Sequence, residues 1–191
     1  ETANQAVHSG DKLAGTRIIP LVIEAEKMEE VKSIGGDKPL LEIRPYVRQK
    51  AAVITTGNEV YHGRIKDTFT PVIKEKLEAY GVEVMFHETV PDDRKKIDEA
   101  IRRARESGAE LILCTGGMSV DPDDRTPGAI KESGARIVTY GAPVLPGAML
   151  VLGYYEDGTP VLGLPGCVMY AAATVFDLVL PRVLADVEIT R

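Results

Sequence analysis

The stretch KKIDEAIRRARESGAELILCTGG, residues 95–117, decides the fold. Ile97, Ala100, Ile101 and Ala104 recur at helical spacing, so one apolar stripe runs along 95–106 while charged residues fill the other faces. Gly108 ends that helix. Leu111–Cys114 is then a short, wholly apolar run, the pattern of a strand buried on both faces. It leads straight into Gly116-Gly117, a turn at the strand's carboxyl end.

The same alternation extends in both directions. Ala51–Thr55 reads as a strand ending in a glycine-containing loop. Thr70-Pro71 reads as an N-cap followed by proline in the first helical turn. Ile73, Leu77 and Tyr80 supply that helix with its stripe, Gly81 ends it, and Val82–Val90 alternates as a strand. Downstream, Thr126-Pro127 signals a short helix to about Ser133. Val138–Thr139, Met149–Leu152 and Val161–Leu164 are further strands. Tyr170–Leu184 is apolar on almost every side and reads as a core helix that Pro181 bends or ends. Strands alternating with helices imply an α/β fold: a three-layer, doubly wound, mostly parallel sheet with helices on both faces.

Residues 1–48 differ. Glu24–Lys32 suggests one short helix closed at Gly35-Gly36, between the apolar runs Arg17–Ile23 and Leu40–Ile43. Pro20 makes the first run an edge strand or an irregular segment. This small N-terminal segment is expected to be an arm or the remnant of an upstream domain. Arg44–Lys50 reads as a linker, and 49–191 carries the regular fold. The chain opens at Glu1 rather than Met, as a piece of a longer protein would, and shows no signal-peptide pattern.

Composition narrows the function. The chain has 191 residues, with 23 Lys and Arg against 29 Asp and Glu, a formal net charge of −6. An acidic chain lacks the basic face that nucleic acid requires. No run approaches the ~18 apolar residues of a membrane span. Two cysteines, Cys114 and Cys167, make neither a disulfide framework nor a zinc cluster, which points to a reducing cytoplasm. There is no dinucleotide or P-loop glycine motif, and His8, His62 and His87 have no ligand spacing.

Ligands of doubly wound sheets bind outside the carboxyl ends of the strands. Four segments leave strands there: Thr55–Asp67, Pro91–Arg94, Thr115–Asp124 and Pro165–Val168. Thr115, Gly116, Gly117 and Ser119 can bring N–H and hydroxyl donors to a phosphate, although Gly-Gly also makes a plain tight turn. Asp121, Asp123 and Asp124 suit a bridging Mg²⁺ or simply a solvated acidic loop before a helix. Asp93 reads as a helix cap, a role less fitting for Asp92. Pro165-Gly166 is either a structural turn or an anion-binding one, aided by the dipole of a helix starting near Met169. Arg64, Lys66, Arg94 and Arg125 offer positive charge at the rim.

In order, the loops read Thr55-Thr56-Gly57-Asn58-Glu59, Gly63-Arg64-Ile65-Lys66-Asp67, Pro91-Asp92-Asp93, Thr115-Gly116-Gly117-Met118-Ser119-Val120, Asp124-Arg125-Thr126, Pro146-Gly147 and Gly163-Leu164-Pro165-Gly166. No single motif is specific, but the ordered set, spanning about Lys50 to Leu184, resembles the molybdopterin-binding domain of molybdenum-cofactor biosynthesis proteins. The Gly-Gly-x-Ser and Leu-Pro-Gly loops resemble most the molybdopterin molybdenumtransferases. That branch typically carries Asp where this chain has Asn58, and Asn-Pro where it has Cys167-Val168.

The resemblance implies binding of molybdopterin, or its adenylylated form, and Mg²⁺-dependent insertion of molybdenum from molybdate, by a homo-oligomeric enzyme. Thr56, Gly57, Thr115, Gly116, Gly117, Ser119, Pro146, Gly147, Pro165 and Gly166 would bind the pterin's anionic tail. Asp92 and Asp124 would hold the metal, with Glu59 assisting in catalysis. Three alternatives stand beside it: the sister adenylyltransferase, a competence-damage-type nucleotide pyrophosphatase, and a non-catalytic molybdopterin carrier or sensor.

Overall fold

The computed structural model describes residues 6–15, 17, 19–118 and 124–190. The chain divides into two compact units, Glu1–Pro45 and Tyr46–Arg191. The first unit holds helix α1 (Ala25–Gly35), where the charged stretch predicts it, and Gly36 closes it with φ 61° and an N–H bond to the Lys32 carbonyl. α1 buries none of its residues. Among the described residues of 17–23 and 40–43 there is no strand. The unit gains little from apolar burial, because its sequence offers no period that would gather those side chains on one face.

The second unit runs β1 (Lys50–Thr56), α2 (Asn58–Tyr61), α3 (Phe69–Glu78), β2 (Glu83–Val90), α4 (Arg94–Glu106), β3 (Leu111–Thr115), α5 (Thr126–Glu132), β4 (Arg136–Tyr140), β5 (Val151–Tyr154), β6 (Pro160–Leu164), a 3₁₀ turn (Gly166–Met169) and α6 (Val175–Leu184). The strands form one mixed sheet in the order β2-β1-β3-β6-β5-β4. β2, β1, β3 and β6 are parallel. β5 pairs antiparallel with both β6 and β4, so it alone runs the other way.

Strand alternation divides the core in two. Ala51, Val53, Leu111, Leu113, Leu162 and Leu164 face Ile73 and Leu77 of α3 and Phe176 and Leu180 of α6. Ala52, Ile54, Ile112, Cys114 and Val161 face Ile97 and Ile101 of α4 and Ala129 and Ile130 of α5. The three expected layers are therefore present. Each large side chain removed from water contributes about 1.5–3 kcal/mol.

Three local expectations need correction. Thr70 does not cap α3; Asp67 does, accepting from Phe69 N (2.9 Å) and Thr70 N (3.1 Å), and Thr70 lies buried in the first turn. Aspartate is the better acceptor for N-terminal N–H groups because it brings charge as well as a lone pair. The expected helix over 170–184 begins only at Val175, where Thr174 and Asp177 build a capping box. Pro181 neither ends nor starts it; α6 continues to Leu184.

At the edge opposite the strands' carboxyl ends, Arg48 donates to the carbonyls of Val183, Glu110 and Gly158. It thereby joins the start of β1 to the end of α6 and the β5–β6 hairpin.

Candidate functional site

All four parallel strands end at one edge of the sheet. β1 leads to β2 on one side, while β3 lies on its other side, so the loops leaving β1 and β3 part between them. That is a topological switch point, where such sheets leave a crevice.

The two loops approach very closely there. A Cβ on Gly116 would stand 2.1 Å from the Thr56 carbonyl oxygen, and its φ is +84°. Only glycine fits, on both counts. A Cβ on Gly117 would stand 3.0 Å from Thr126 Oγ1, 3.3 Å from Asp92 Oδ1 and 3.6 Å from Thr56 Oγ1. Loops after β1, β2 and β3 thus meet around Gly117, together with the start of α5.

Hydrogen bonds hold this meeting point. Thr126 Oγ1 donates to the Gly116 carbonyl (2.8 Å), so it accepts from Thr56 Oγ1 (3.1 Å). Gly57 N donates to the Val90 carbonyl (3.2 Å), and Asp92 N donates to Asn58 Oδ1 (3.1 Å). Met118, nearly fully buried, fills the space that Gly163 of β6 leaves open, anchoring the Gly-Gly loop from below.

Two polar atoms remain unmatched here. Among the described residues, buried Asp92 Oδ1 and Thr115 Oγ1 have no hydrogen-bond partner. Burial first, and then the negative charge of Asp124, push the Asp92 carboxyl above the usual carboxylate range, with Arg125 offsetting part of the rise. A buried carboxylate oxygen near a second negative charge is costly unless positive charge or a hydrogen bond offsets it.

On the other side of β1 lies a second polar group. Asp67 Oδ2 accepts from the Thr70 and Thr55 hydroxyls (2.5 and 3.3 Å), while Oδ1 accepts two backbone N–H groups. Because Thr70 gives its hydrogen to Asp67, it accepts from His87 Nε2 (2.9 Å), which fixes the imidazole tautomer. Burial pushes the Asp67 carboxyl up, but these bonds outweigh it and leave the group below its usual range.

A probable molybdopterin binding domain model matches residues 52–185. The chain belongs to that family. Among solved structures, it is similar to the molybdopterin biosynthesis enzyme MoaB from Thermus thermophilus, at 28% identity and a TM-score of 0.62 over 74% of this chain and 98% of that one. It is also similar to the molybdopterin biosynthesis MoeA protein from Pyrococcus horikoshii, at 27% identity and a TM-score of 0.59 over 73% of this chain and 35% of that one. A putative competence-damage inducible protein of Bacillus cereus (strain AH187) is 34% identical over 95 residues, 50% of this chain and 23% of that protein. The chain spans about a fifth to a quarter of the length of the curated relatives it matches.

The molybdopterin-binding fold places the remaining expected residues as follows. Glu59 sits exposed in the first turn of α2, its carbonyl accepting from Arg64 N and Ile65 N. Gly166 opens the 3₁₀ turn after β6, and a Cβ added there would stand 4.0 Å from the Phe69 ring. Pro146-Gly147, between β4 and β5, packs on the start of α6: the Pro146 carbonyl accepts from Val175 N (3.0 Å). Ser119 lies outside the described residues.

Two electrostatic expectations change. No helix dipole points from Met169 toward the rim, because α6 starts later and the Asp177 carboxylate already accepts from Thr174 N (2.7 Å). Arg94 is not spare charge: it pairs with Glu132 (2.9 Å) and lies against Gly128, where a Cβ would be 2.8 Å from its guanidinium carbon. Asp93 caps α4 by accepting from Lys96 N (3.0 Å), as its spacing suggests. The cysteines are unpaired, and burial pushes the Cys114 thiol up to about 12, which makes it inert at neutral pH.

Sequence reasoning missed the contributions of Thr126, Asn58 and Met118. Thr126 was legible only as a helix start, and its hydroxyl serves Gly116 instead. Among the described residues no helix is long and apolar enough to cross a membrane.

Proposed function

We propose that the switch-point crevice binds molybdopterin, or its adenylylated form, by the phosphate end and promotes insertion of molybdenum from molybdate. The observation that carries this reading is the buried Asp92 Oδ1 beside Gly117, without a hydrogen-bond partner among the described residues, its carboxyl pushed up by burial and then by the Asp124 charge.

Among the described residues no group of three or more His, Cys, Asp or Glu is arranged to hold a metal ion. Two carboxylates completed by phosphate oxygens and water are instead the donor set that Mg²⁺ takes. Asp92 and Asp124 therefore fit Mg²⁺ and would hold it. When bound, the metal offsets their charge and polarises the phosphoanhydride.

The chain's own residues do the rest. The Gly116-Gly117 backbone approaches the phosphate as only glycines can. Thr56 and Thr126 hold that loop at fixed height. Arg125 adds positive charge near Asp92. Gly57, Pro165-Gly166 and Pro146-Gly147 would contact the pterin's tail, Thr115 would support the loop from the end of β3, Ser119, outside the described residues, would bind the same tail, and Glu59 would assist from α2. Two free thiols suit a reducing cytoplasm.

Incubation with adenylylated molybdopterin, Mg²⁺ and molybdate tests the reading. AMP release dependent on both metal species, and abolished in Asp124→Ala, is expected. Pyrophosphate release from ATP and molybdopterin would assign the adenylylating reaction instead. A second reading, pyrophosphate hydrolysis, is favoured by the 34% identity to a competence-damage inducible protein. Turnover of ADP-ribose without molybdate would select it.

A further inference from the structure

We infer that Lys76 is a positioning residue for the crevice: its ammonium holds the loops carrying Pro165-Gly166 and Pro146-Gly147 in place against α3. The inference rests on the reading of those loops as ligand contacts and deepens it.

The segment after β6 has little of its own to hold it. Tyr170, Ala172 and Ala173 are exposed and Ala171 is partly buried, so apolar burial contributes little there. Tyr170 N and Ala171 N both donate to the Cys167 carbonyl (3.1 and 2.9 Å), bonds internal to the same turn. Among the described residues, the one hydrogen bond that reaches 170–173 from another element comes from Lys76 Nζ, which donates to the Ala172 carbonyl (3.1 Å).

The same ammonium donates to Asp177 Oδ1 (2.5 Å). The side chains of Lys76 and Asp177 are only 16% and 25% exposed, so water screens this pair less than a surface one. Asp177 Oδ2 meanwhile accepts from Thr174 N (2.7 Å) and Thr174 Oγ1 (3.1 Å) in the box that caps α6. One lysine of α3 thus grips both the loop before α6 and the first turn of α6.

Both grips act on the rim. The segment begins as the 3₁₀ turn Gly166–Met169, where Thr68 Oγ1, just before α3, donates to Met169 Sδ (3.1 Å). It is therefore tied along α3 at two points, near Thr68 and at Lys76. At α6, Val175 N donates to the Pro146 carbonyl (3.0 Å), and a Cβ on Gly147 would stand 3.1 Å from that same nitrogen. The place of the first α6 turn therefore fixes that of Pro146-Gly147. Lys76 acts on both Pro-Gly turns through Ala172 and Asp177.

The experiment is amide hydrogen exchange on the whole chain, comparing wild type with Lys76→Met, Asp177→Asn and Lys74→Met. The first variant keeps the length of the side chain and removes its donors. The second can still accept from Thr174 N but loses the charge facing Lys76. Lys74 is exposed on the same helix and serves as the control. In Lys76→Met, the amides of Tyr170, Ala171, Thr174 and Val175 are expected to exchange about tenfold faster or more, the scale of one lost bond to a charged group, while those of β1 and β3 keep the wild-type rate. Asp177→Asn should speed Thr174 and Val175, and Lys74→Met should change nothing. Equal acceleration in β1, β3 and the loop would make Lys76 a general stabiliser and overturn the inference, as would wild-type rates throughout.

Calorimetric titration with adenylylated molybdopterin then reads the rim. Because little else holds the loop, its binding-competent arrangement no longer dominates in Lys76→Met, and affinity should fall about threefold or more. Unchanged affinity beside a loosened loop overturns the positioning role and leaves the site reading intact. Wild-type protein that does not bind adenylylated molybdopterin removes the site reading, and this inference with it.

Discussion

Thr55 and Thr56 are neighbours on one strand, yet they belong to opposite kinds of surroundings. Thr55 joins Asp67, Thr70 and His87, where every carboxylate oxygen accepts at least one bond and Asp67 is held below its usual pKa. Thr56 bonds to Thr126 beside Gly117, where Asp92 also approaches, one of its carboxylate oxygens buried with no partner among the described residues and the carboxyl held above the usual range. The first group is closed and stabilises the start of α3. The second is left open among the described residues, with Asp92 Oδ1 unmatched. Polar residues at a strand end become a site when their bonding is left unfinished, because only a ligand then relieves the cost of burial.

The largest test of this contrast is Gly116→Ala. The added carbon would meet the Thr56 carbonyl at 2.1 Å in a left-handed backbone, so the open side should lose its geometry. A loss of about 2–4 kcal/mol is expected in urea unfolding. A variant of wild-type stability would mean that the two loops are not in contact.

A smaller effect is expected from Asp67→Ala, about 1–2 kcal/mol for a lost cap. Its pH dependence has a defined sign. A carboxyl depressed in the fold contributes stability above its unfolded value of about 3.9 and loses it as pH falls through the folded pKa. Wild-type thermal stability should therefore drop in that acid window, and the gap to Asp67→Asn should narrow there. A constant gap down to the lowest pH would contradict the closed network.

The smallest change in stability is expected from Asp92→Asn. A carboxyl raised in the fold contributes stability below its unfolded pKa and loses it as pH rises. At neutral pH in metal-free buffer, the variant should melt at or slightly above the wild-type temperature, within about 0.5 kcal/mol. Its uptake of Mg²⁺ should fall sharply. A marked loss of stability would place Asp92 with Asp67, as a structural group.

Much of this architecture was readable beforehand. The stripes of α3 and α4, the glycine stops and the apolar runs of β1, β3 and β6 obey local periods, and each appears close to where it is expected. The α6 boundary was not readable, because Tyr170–Thr174 is as apolar as the helix it precedes. The Thr174–Asp177 capping box, rather than hydropathy, sets the start. The cap of α3 was misplaced for a similar reason: Asp67 lies three residues before Thr70, and only the folded turn brings it onto the helix end.

By itself, the sequence determined the layers and the edge at which the rim loops gather. Side-chain period and glycine conformation act over a few residues, and so they are written in order along the chain. Tertiary structure alone decided which rim groups are finished and which are not. Thr56 meets Thr126 across 70 residues, and Asp92 meets Asn58 across 34. Hydrogen bonds depend on distance and angle between atoms that the chain brings together only by folding, so no local pattern encodes them.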